Sequence, residues 1–257
     1  MVTGMKTKTF ILFIALLALS ISSYSQDTRQ RMKEAEDLYQ KGEYSNAAEI
    51  YKSLYNEGYR SDNLLYNAGN AFFKAGDYGN AILFYERASL RNPASEDVNY
   101  NLQIARTKIT DRFDEIPELF FVRWFDFLSL LRSTNQWALF AIAMFIAALA
   151  LFVYFIFAPE GRLKYPSFWG GIGAVIISVL ALVFALRSNR LVNHNNKSIV
   201  ICTEVVGKSS PGDNGKDLFV IHTGTKVVVL QHLGDYDEIA LPDGNKGWAP
   251  DKCLEKI

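Results

Sequence analysis

Metal-binding and redox side chains are scarce in this chain. Two of its 257 residues are cysteine and three are histidine, too few and too scattered for a zinc cluster, whose ligands come in close pairs. His194 falls in a linker, and His222 and His232 stand apart with no companion at ligand spacing. Net charge is absent as well. The 27 basic side chains balance 27 acidic ones, so no overall field gathers nucleic acid or another polyanion. The chain holds no phosphate-binding loop, zinc-protease helix or nucleophile elbow. Its one glycine-rich run, Gly170-Gly171-Ile172-Gly173, lies inside a long apolar stretch where it cannot cradle a phosphate. These absences predict no catalytic residues, no metal and no cofactor, and they leave binding and anchoring as the functions to look for.

What is present is apolar sequence, 49% of the chain, concentrated in blocks. Phe10 to Ile21 follows Lys6 and Lys8 and precedes Ser22-Ser23-Tyr24-Ser25. As a helix it rises about 18 Å, short of the ~30 Å of a hydrocarbon core. It predicts a signal peptide over residues 1–25, with a retained short anchor as the alternative. No cysteine near the cut points to a lipid anchor. Residues 137–158 and 165–186 are long enough to cross a bilayer, and predict transmembrane helices 1 and 2. Trp137, Tyr154, Tyr165 and Trp169 lie near their ends, where amphipathic rings favour the headgroup level. Neither span holds an ionisable residue, which predicts an anchor rather than an ion path. The short connection makes the pair a hairpin that returns the chain to the side it left. An exporting signal then predicts an inner (cytoplasmic) membrane protein with both flanking parts in the periplasm. Basic residues do not decide the orientation, since Arg162 and Lys164 in the turn face Arg123, Arg132, Arg187 and Arg190 on the other side.

The segment from 26 to 116 repeats itself. A shift of 34 residues pairs Gly42 with Gly76, Tyr44 with Tyr78, Asn46 with Asn80, Ala47 with Ala81 and Tyr51 with Tyr85. A further step pairs Tyr66 with Tyr100 and Asn67 with Asn101. The unit Leu65, Ala68, Gly69, Phe72, Ala81, Tyr85, Ala88, Pro93 resembles the tetratricopeptide signature, two antiparallel helices per unit. Small residues at 69 and 81 allow the helices to approach, while Leu65, Phe72 and Tyr85 fill the space between. About two and a half repeats are expected, 28–61, 62–95 and 96–110, the first degenerate and the last a capping helix begun by Ser95. The resemblance implies a concave face lined by first helices, where a peptide or partner helix docks. By position it carries Met32, Glu36, Tyr39, Asn63, Tyr66, Asn67, Asn70, Phe73, Tyr100, Asn101 and Ile104, any of which has packing between repeats as its alternative. Met32 and Tyr66 stand where the carboxylate-grasping version of the family needs lysines, so recognition of a C-terminal carboxylate is not expected.

Residues 117–132 are mostly apolar with isolated charges, and predict a helix lying in the membrane interface, with a continuation of the solenoid as the rival. After the second span the pattern turns to short β-branched runs at 199–206, 218–221, 225–230, 236–241 and 246–249, with a hairpin turn at Pro242-Asp243-Gly244-Asn245. Closure into a small barrel is expected. Gly224-Thr225-Lys226-Val227 followed by Asp243-Gly244-Asn245-Lys246-Gly247-Trp248 resembles a bacterial SH3-like domain over 198–257. Such domains often read cell-wall peptides through aromatic and acidic side chains, which implies an SH3-like groove of Asp213, Tyr236 and Trp248, with core packing as the alternative for Trp248. Cys202 and Cys253 sit in the terminal strands. A disulfide requires those strands to adjoin, and two buried thiols are the expected state.

The whole is thus expected to be a multidomain membrane protein: an α-helical tetratricopeptide solenoid, a two-helix transmembrane hairpin and a small all-β SH3-like barrel. In that order the modules resemble the BatE-type family of the Bacteroides aerotolerance (Bat) operon. The resemblance implies a non-catalytic scaffold in a complex with other Bat-type membrane proteins that carry von Willebrand factor A domains, alongside a MoxR-type ATPase, and linked to oxygen tolerance. The alternative is a peptidoglycan-binding tether or envelope sensor acting through the SH3-like domain.

Overall fold

The computed structural model describes residues 27–113, 119–159, 161, 163–193, 195–212 and 214–257. The expected signal peptide, residues 117 and 118 of the expected interfacial helix, His194 and Asp213 lie outside the described residues.

Helix α1 covers residues 27–40. It is followed by α2 (Tyr44–Asn56), α3 (Asp62–Ala75), α4 (Tyr78–Arg91) and α5 (Glu96–Arg106). Local chemistry sets the starts. The Ser61 hydroxyl accepts the Leu64 N–H at 3.1 Å, the Asp77 carboxylate that of Asn80 at 3.0 Å, and the Ser95 hydroxyl that of Val98 at 3.4 Å, each satisfying a donor that the first helical turn leaves open. Gly76, at φ 83°, ends α3 in the left-handed conformation that only glycine adopts freely. Two successive helical hairpins and a fifth helix result, a repeat-like stack. Gly69 lets α3 and α4 touch: a Cβ there would stand 2.6 Å from the Tyr85 ring. Leu64, Leu65, Ala68 and Phe72 of α3 and Ala81, Ile82, Phe84 and Tyr85 of α4 form the centre of the core.

After the stack come α6 (Phe120–Leu130), α7 (Thr134–Phe157) and α8 (Lys164–Asn193). Helices α7 and α8 are long and apolar enough to cross a membrane. Their seam is small: Ser167, Gly171, Ala174, Ala181, Ala185 and Ser188 are buried on α8 at intervals of three, four or seven, facing Ala141 and Ala148 of α7. Close packing of this kind joins helices where no hydrophobic effect drives them together. The Ser178 hydroxyl also donates to the Ala141 carbonyl at 2.8 Å. Helix α8 runs past the expected end at Leu186 to Asn193 because its last turns have a partner outside the hairpin. Asp126 of α6 accepts from Arg187 at 2.6 and 2.9 Å, and Phe125 meets Phe184 at 5.3 Å between ring centroids. Helix α6 therefore packs on α8 rather than extending the stack.

The C-terminal part is one antiparallel sheet in the order β3-β2-β6-β5-β4-β1-β7. Its strands are β1 (Lys197–Val200), β2 (Glu204–Lys208), β3 (Asp217–His222), β4 (Lys226–Leu233), β5 (Tyr236–Ala240), β6 (Lys246–Pro250) and β7 (Leu254–Lys256). The single run expected over 199–206 divides in two. Its first half pairs with β4 and β7 and its second with β3 and β6, so the backbone must turn at 201–203 to change partners. Cys202 sits in that turn and is bonded to Cys253, with Cα atoms 5.1 Å apart. The expectation of two thiols is thereby corrected: β1 and the segment just before β7 adjoin, as the bridge requires.

The β domain docks on α4. Glu86, whose side chain is 7% exposed, accepts from Lys226 of β4 at 2.6 Å and from Arg106 of α5 at 2.5 Å. Asp111 accepts the His222 N–H at 2.6 Å and the Thr225 hydroxyl at 2.5 Å, and faces the His222 ring at 2.7 Å. Arg87 lies over the Tyr55 ring and bonds Glu255 and the Lys256 carbonyl. Burial pushes the Glu86 carboxyl up, but its two cations together hold it below the usual carboxylate range. Burial likewise opposes the charge on Asp111, and the Thr225 and His222 donors outweigh it, again lowering the value. Because α7 and α8 form a hairpin, the repeat stack and the β domain leave it at the same end, and this junction closes between them.

Candidate functional site

Helices α1, α3 and α5 line a groove on the stack. At its centre is a hollow of about 320 Å3 lined by Tyr39, Tyr66, Asn70, Phe73, Lys74, Tyr85, Asn101 and Ile104. A smaller one of about 190 Å3 adjoins it, lined by Glu36, Tyr39, Gln40, Tyr51, Asn67 and Asn70. Tyr39 and Asn70 border both. Helical periodicity explains the grouping, since Tyr66, Asn70, Phe73 and Lys74 recur three and four residues apart and so share one face of α3.

A polar network crosses the floor. The Tyr85 hydroxyl donates to the Asn70 side-chain oxygen at 2.6 Å, and the Asn101 amide donates to the same oxygen at 3.0 Å and to the Tyr66 hydroxyl at 3.2 Å. With its oxygen taken twice, Asn70 keeps its amide N–H groups without a partner among the described residues. Burial pushes the Tyr85 and Tyr51 phenols up, Tyr51 to about 12, so both stay neutral donors at physiological pH. Rings stand around this network: Tyr39 against Tyr44 at 5.1 Å, Phe73 against Tyr78 at 5.5 Å. The walls thus offer apolar area, the floor offers amide and phenol hydrogen bonds, and a cation and a carboxylate, Lys74 and Glu36, sit in different hollows. Such a surface suits a polypeptide segment.

Of the groove residues expected from sequence, Glu36, Tyr39, Tyr66, Asn67, Asn70, Phe73, Asn101 and Ile104 line these hollows. Three do not. Met32 packs against the hydrophobic core of the stack, Asn63 is exposed outside both hollows, and Tyr100 is 64% exposed and lines neither. Sequence reasoning missed Lys74, Gln40, Tyr51 and Tyr85 as lining residues. For Lys74 the signal was available, four positions after Asn70 on the same face. Tyr85 belongs to a second helix and reads as core. It is core, with its hydroxyl reaching through to Asn70.

In the β domain, Tyr236 lies opposite Pro250, and Trp248 opposite Glu238. Two-residue offsets on paired strands place Tyr236 and Trp248 on one face of the sheet, and both are half-buried. The third expected member, Asp213, is outside the described residues. Among the described residues no group of three potential metal-binding side chains occurs. Near the junction a further hollow of about 370 Å3 borders Arg106, Asp111 and Lys226, whose charges are already engaged by Glu86, His222 and Thr225.

The fold and groove define the class of molecule: a helical repeat stack and a seven-stranded antiparallel β domain, packed together and carried on two apolar helices. No model of a known protein family matches the chain, and no curated protein matches it.

Proposed function

We propose that this chain is a non-catalytic, membrane-anchored scaffold whose groove holds a segment of a partner protein. The observation that carries the reading is the groove itself: open hollows walled by Tyr39, Tyr66 and Phe73 over an Asn70–Asn101 floor. None of these residues takes part in the junction with the β domain, so a ligand can enter without prising the domains apart. In this reading the stack is a tetratricopeptide domain, the β domain is SH3-like, α7 and α8 span the inner membrane, and both domains face the periplasm. The resemblance to BatE-type proteins names the partners to look for: membrane proteins with von Willebrand factor A domains, with a MoxR-type ATPase, in a process linked to oxygen tolerance.

The test is co-purification from native membranes in mild detergent with the tagged full-length chain. Tyr66→Ala, Asn70→Ala and Phe73→Ala together, with helix content checked by circular dichroism, should abolish recovery of partners that the unaltered chain retains. Equal recovery would overturn the groove as the binding site.

A further inference from the structure

Where α6 turns into α7 the structure forms a half-open cavity of about 400 Å3. Three separate parts of the chain wall it: Arg91 from the end of α4, Arg132, Ser133 and Thr134 from the turn, and Ser188 and Val192 from α8. Among the described residues its charged lining is one-sided, with Arg91 and Arg132 and no acidic residue. Arg91 binds Asp62 through Nε at 2.7 Å, which leaves its terminal amino groups for another acceptor. Arg132 has no partner among the described residues. Hydroxyls complete the wall, with Thr134 and Ser188 3.4 Å apart. The N-terminal end of α7 opens onto the same space and adds a partial positive charge to that of the two arginines.

Depth identifies the ligand. Trp137 lies one helical turn, about 6 Å, below Ser133, donates from its indole to the Ser129 carbonyl at 3.0 Å and meets the Phe184 ring at 5.0 Å. Indole rings settle at the headgroup level of a bilayer. The exposed face of α6 carries Phe120, 82% exposed, Trp124, 65%, Phe127, 42%, and Leu131, 49%. They form an apolar strip at helical spacing that runs up to the cavity's edge between Leu130 and Arg132 and along which acyl chains can lie. A cationic, hydroxyl-lined cavity at that level, next to an apolar strip, fits a phosphate with hydrocarbon attached, and guanidinium groups match phosphate oxygens in pairs.

We propose that this cavity binds a phosphate ester, the headgroup phosphate of a phospholipid in the leaflet adjoining the repeat stack and the β domain. The inference rests on reading α7 and α8 as membrane-spanning. The test uses the full-length chain in maltoside micelles, titrated with dioleoyl-phosphatidylglycerol, with dioleoylglycerol, which has the same chains and no phosphate, and with inorganic phosphate, and read by native mass spectrometry and by the thermal unfolding midpoint. One phospholipid should bind per chain and raise the midpoint, while dioleoylglycerol should do neither. Arg132→Gln should weaken binding at least tenfold, and Val192→Phe should do the same by filling the cavity at unchanged charge. Arg190→Gln, on α8 outside the cavity, should leave it intact. Equal binding of dioleoylglycerol, or equal effects of R132Q and R190Q, would overturn the proposal. A midpoint raised by inorganic phosphate alone, with the same sensitivity to R132Q, would replace the lipid by the free ion. Carbonate washing of native membranes examines the premise separately, because release of the chain would overturn the membrane reading whatever the titration gives.

Discussion

Glu86 joins three elements through one carboxylate, and its cost is high if either cation is lost to it. Glu86→Ala removes two charge-assisted hydrogen bonds across the junction, but Lys226 and Arg106 are 32% and 43% exposed and regain water. The cost is therefore about 1–3 kcal/mol, less than that of leaving a buried charge unpaired. Chemical denaturation of the full-length chain should register that loss, and a change near zero would show that the junction does not depend on the pair. The pH dependence follows from the same groups. Glu86 and Asp111 are both held below their ordinary values in the folded state, so the folded chain binds fewer protons than the unfolded one. Their contribution is therefore complete above the ordinary carboxylate value of about 4 and drains away as pH falls below it toward the depressed values. Unfolding midpoints should be level from pH 7 to 5 and fall below 4, and the fall should shrink in Asp111→Asn. Cys202 and Cys253 close a span of 51 residues, and replacing both by serine should cost about 2–4 kcal/mol, measured as the difference between the unfolding curves of the oxidised chain and the double variant; coincident curves would show that the bond contributes nothing to stability. The disulfide stood in the sequence as the alternative to two thiols, while the Glu86 and Asp111 contacts were not legible there. Asp111 and His222 are separated by 111 positions, and no periodicity connects residues that meet only when two domains dock.

Elements were far more legible, because each follows from local rules. The shift of 34 residues located both hairpins and the fifth helix, and small residues at 69 and 81 marked where helices cross. The Gly69 contact gives a direct check. Alanine there gains about 1 kcal/mol of helix propensity, yet its Cβ would enter the Tyr85 ring, which is 1% exposed and held by its hydroxyl on Asn70. Overpacking costs about 1–3 kcal/mol, so Gly69→Ala should lower the thermal midpoint of the full-length chain, and a raised midpoint would show that the helices can yield. Where local rules failed, a distant partner decided the outcome. The run expected as one strand over 199–206 broke because its halves pair with different strands. Helix α8 outran its apolar stretch because Asp126 holds Arg187, a bond across 61 positions that no window on the sequence contains.

At the scale of the whole molecule, the hairpin decides what the other parts can do. An antiparallel pair of long helices returns the chain to the end where it entered, so the repeat stack and the β domain meet and dock, leaving the groove free on the other helices. The candidate groove was legible for those of its residues that repeat along α1, α3 and α5, and illegible for Tyr85 and Tyr51, which reach it from second helices through the core. The account stands on the claim that the groove receives a partner polypeptide in the membrane where the protein works. Photocrosslinking tests it most directly, with benzoyl-phenylalanine placed at Phe73 in the groove or at Tyr59 outside it, in intact cells expressing the full-length chain. A discrete crosslinked species from position 73 and none from position 59, with a von Willebrand factor A membrane protein as the captured partner, is the expected result. Crosslinks that are equal at the two positions, or absent from the groove, would contradict it.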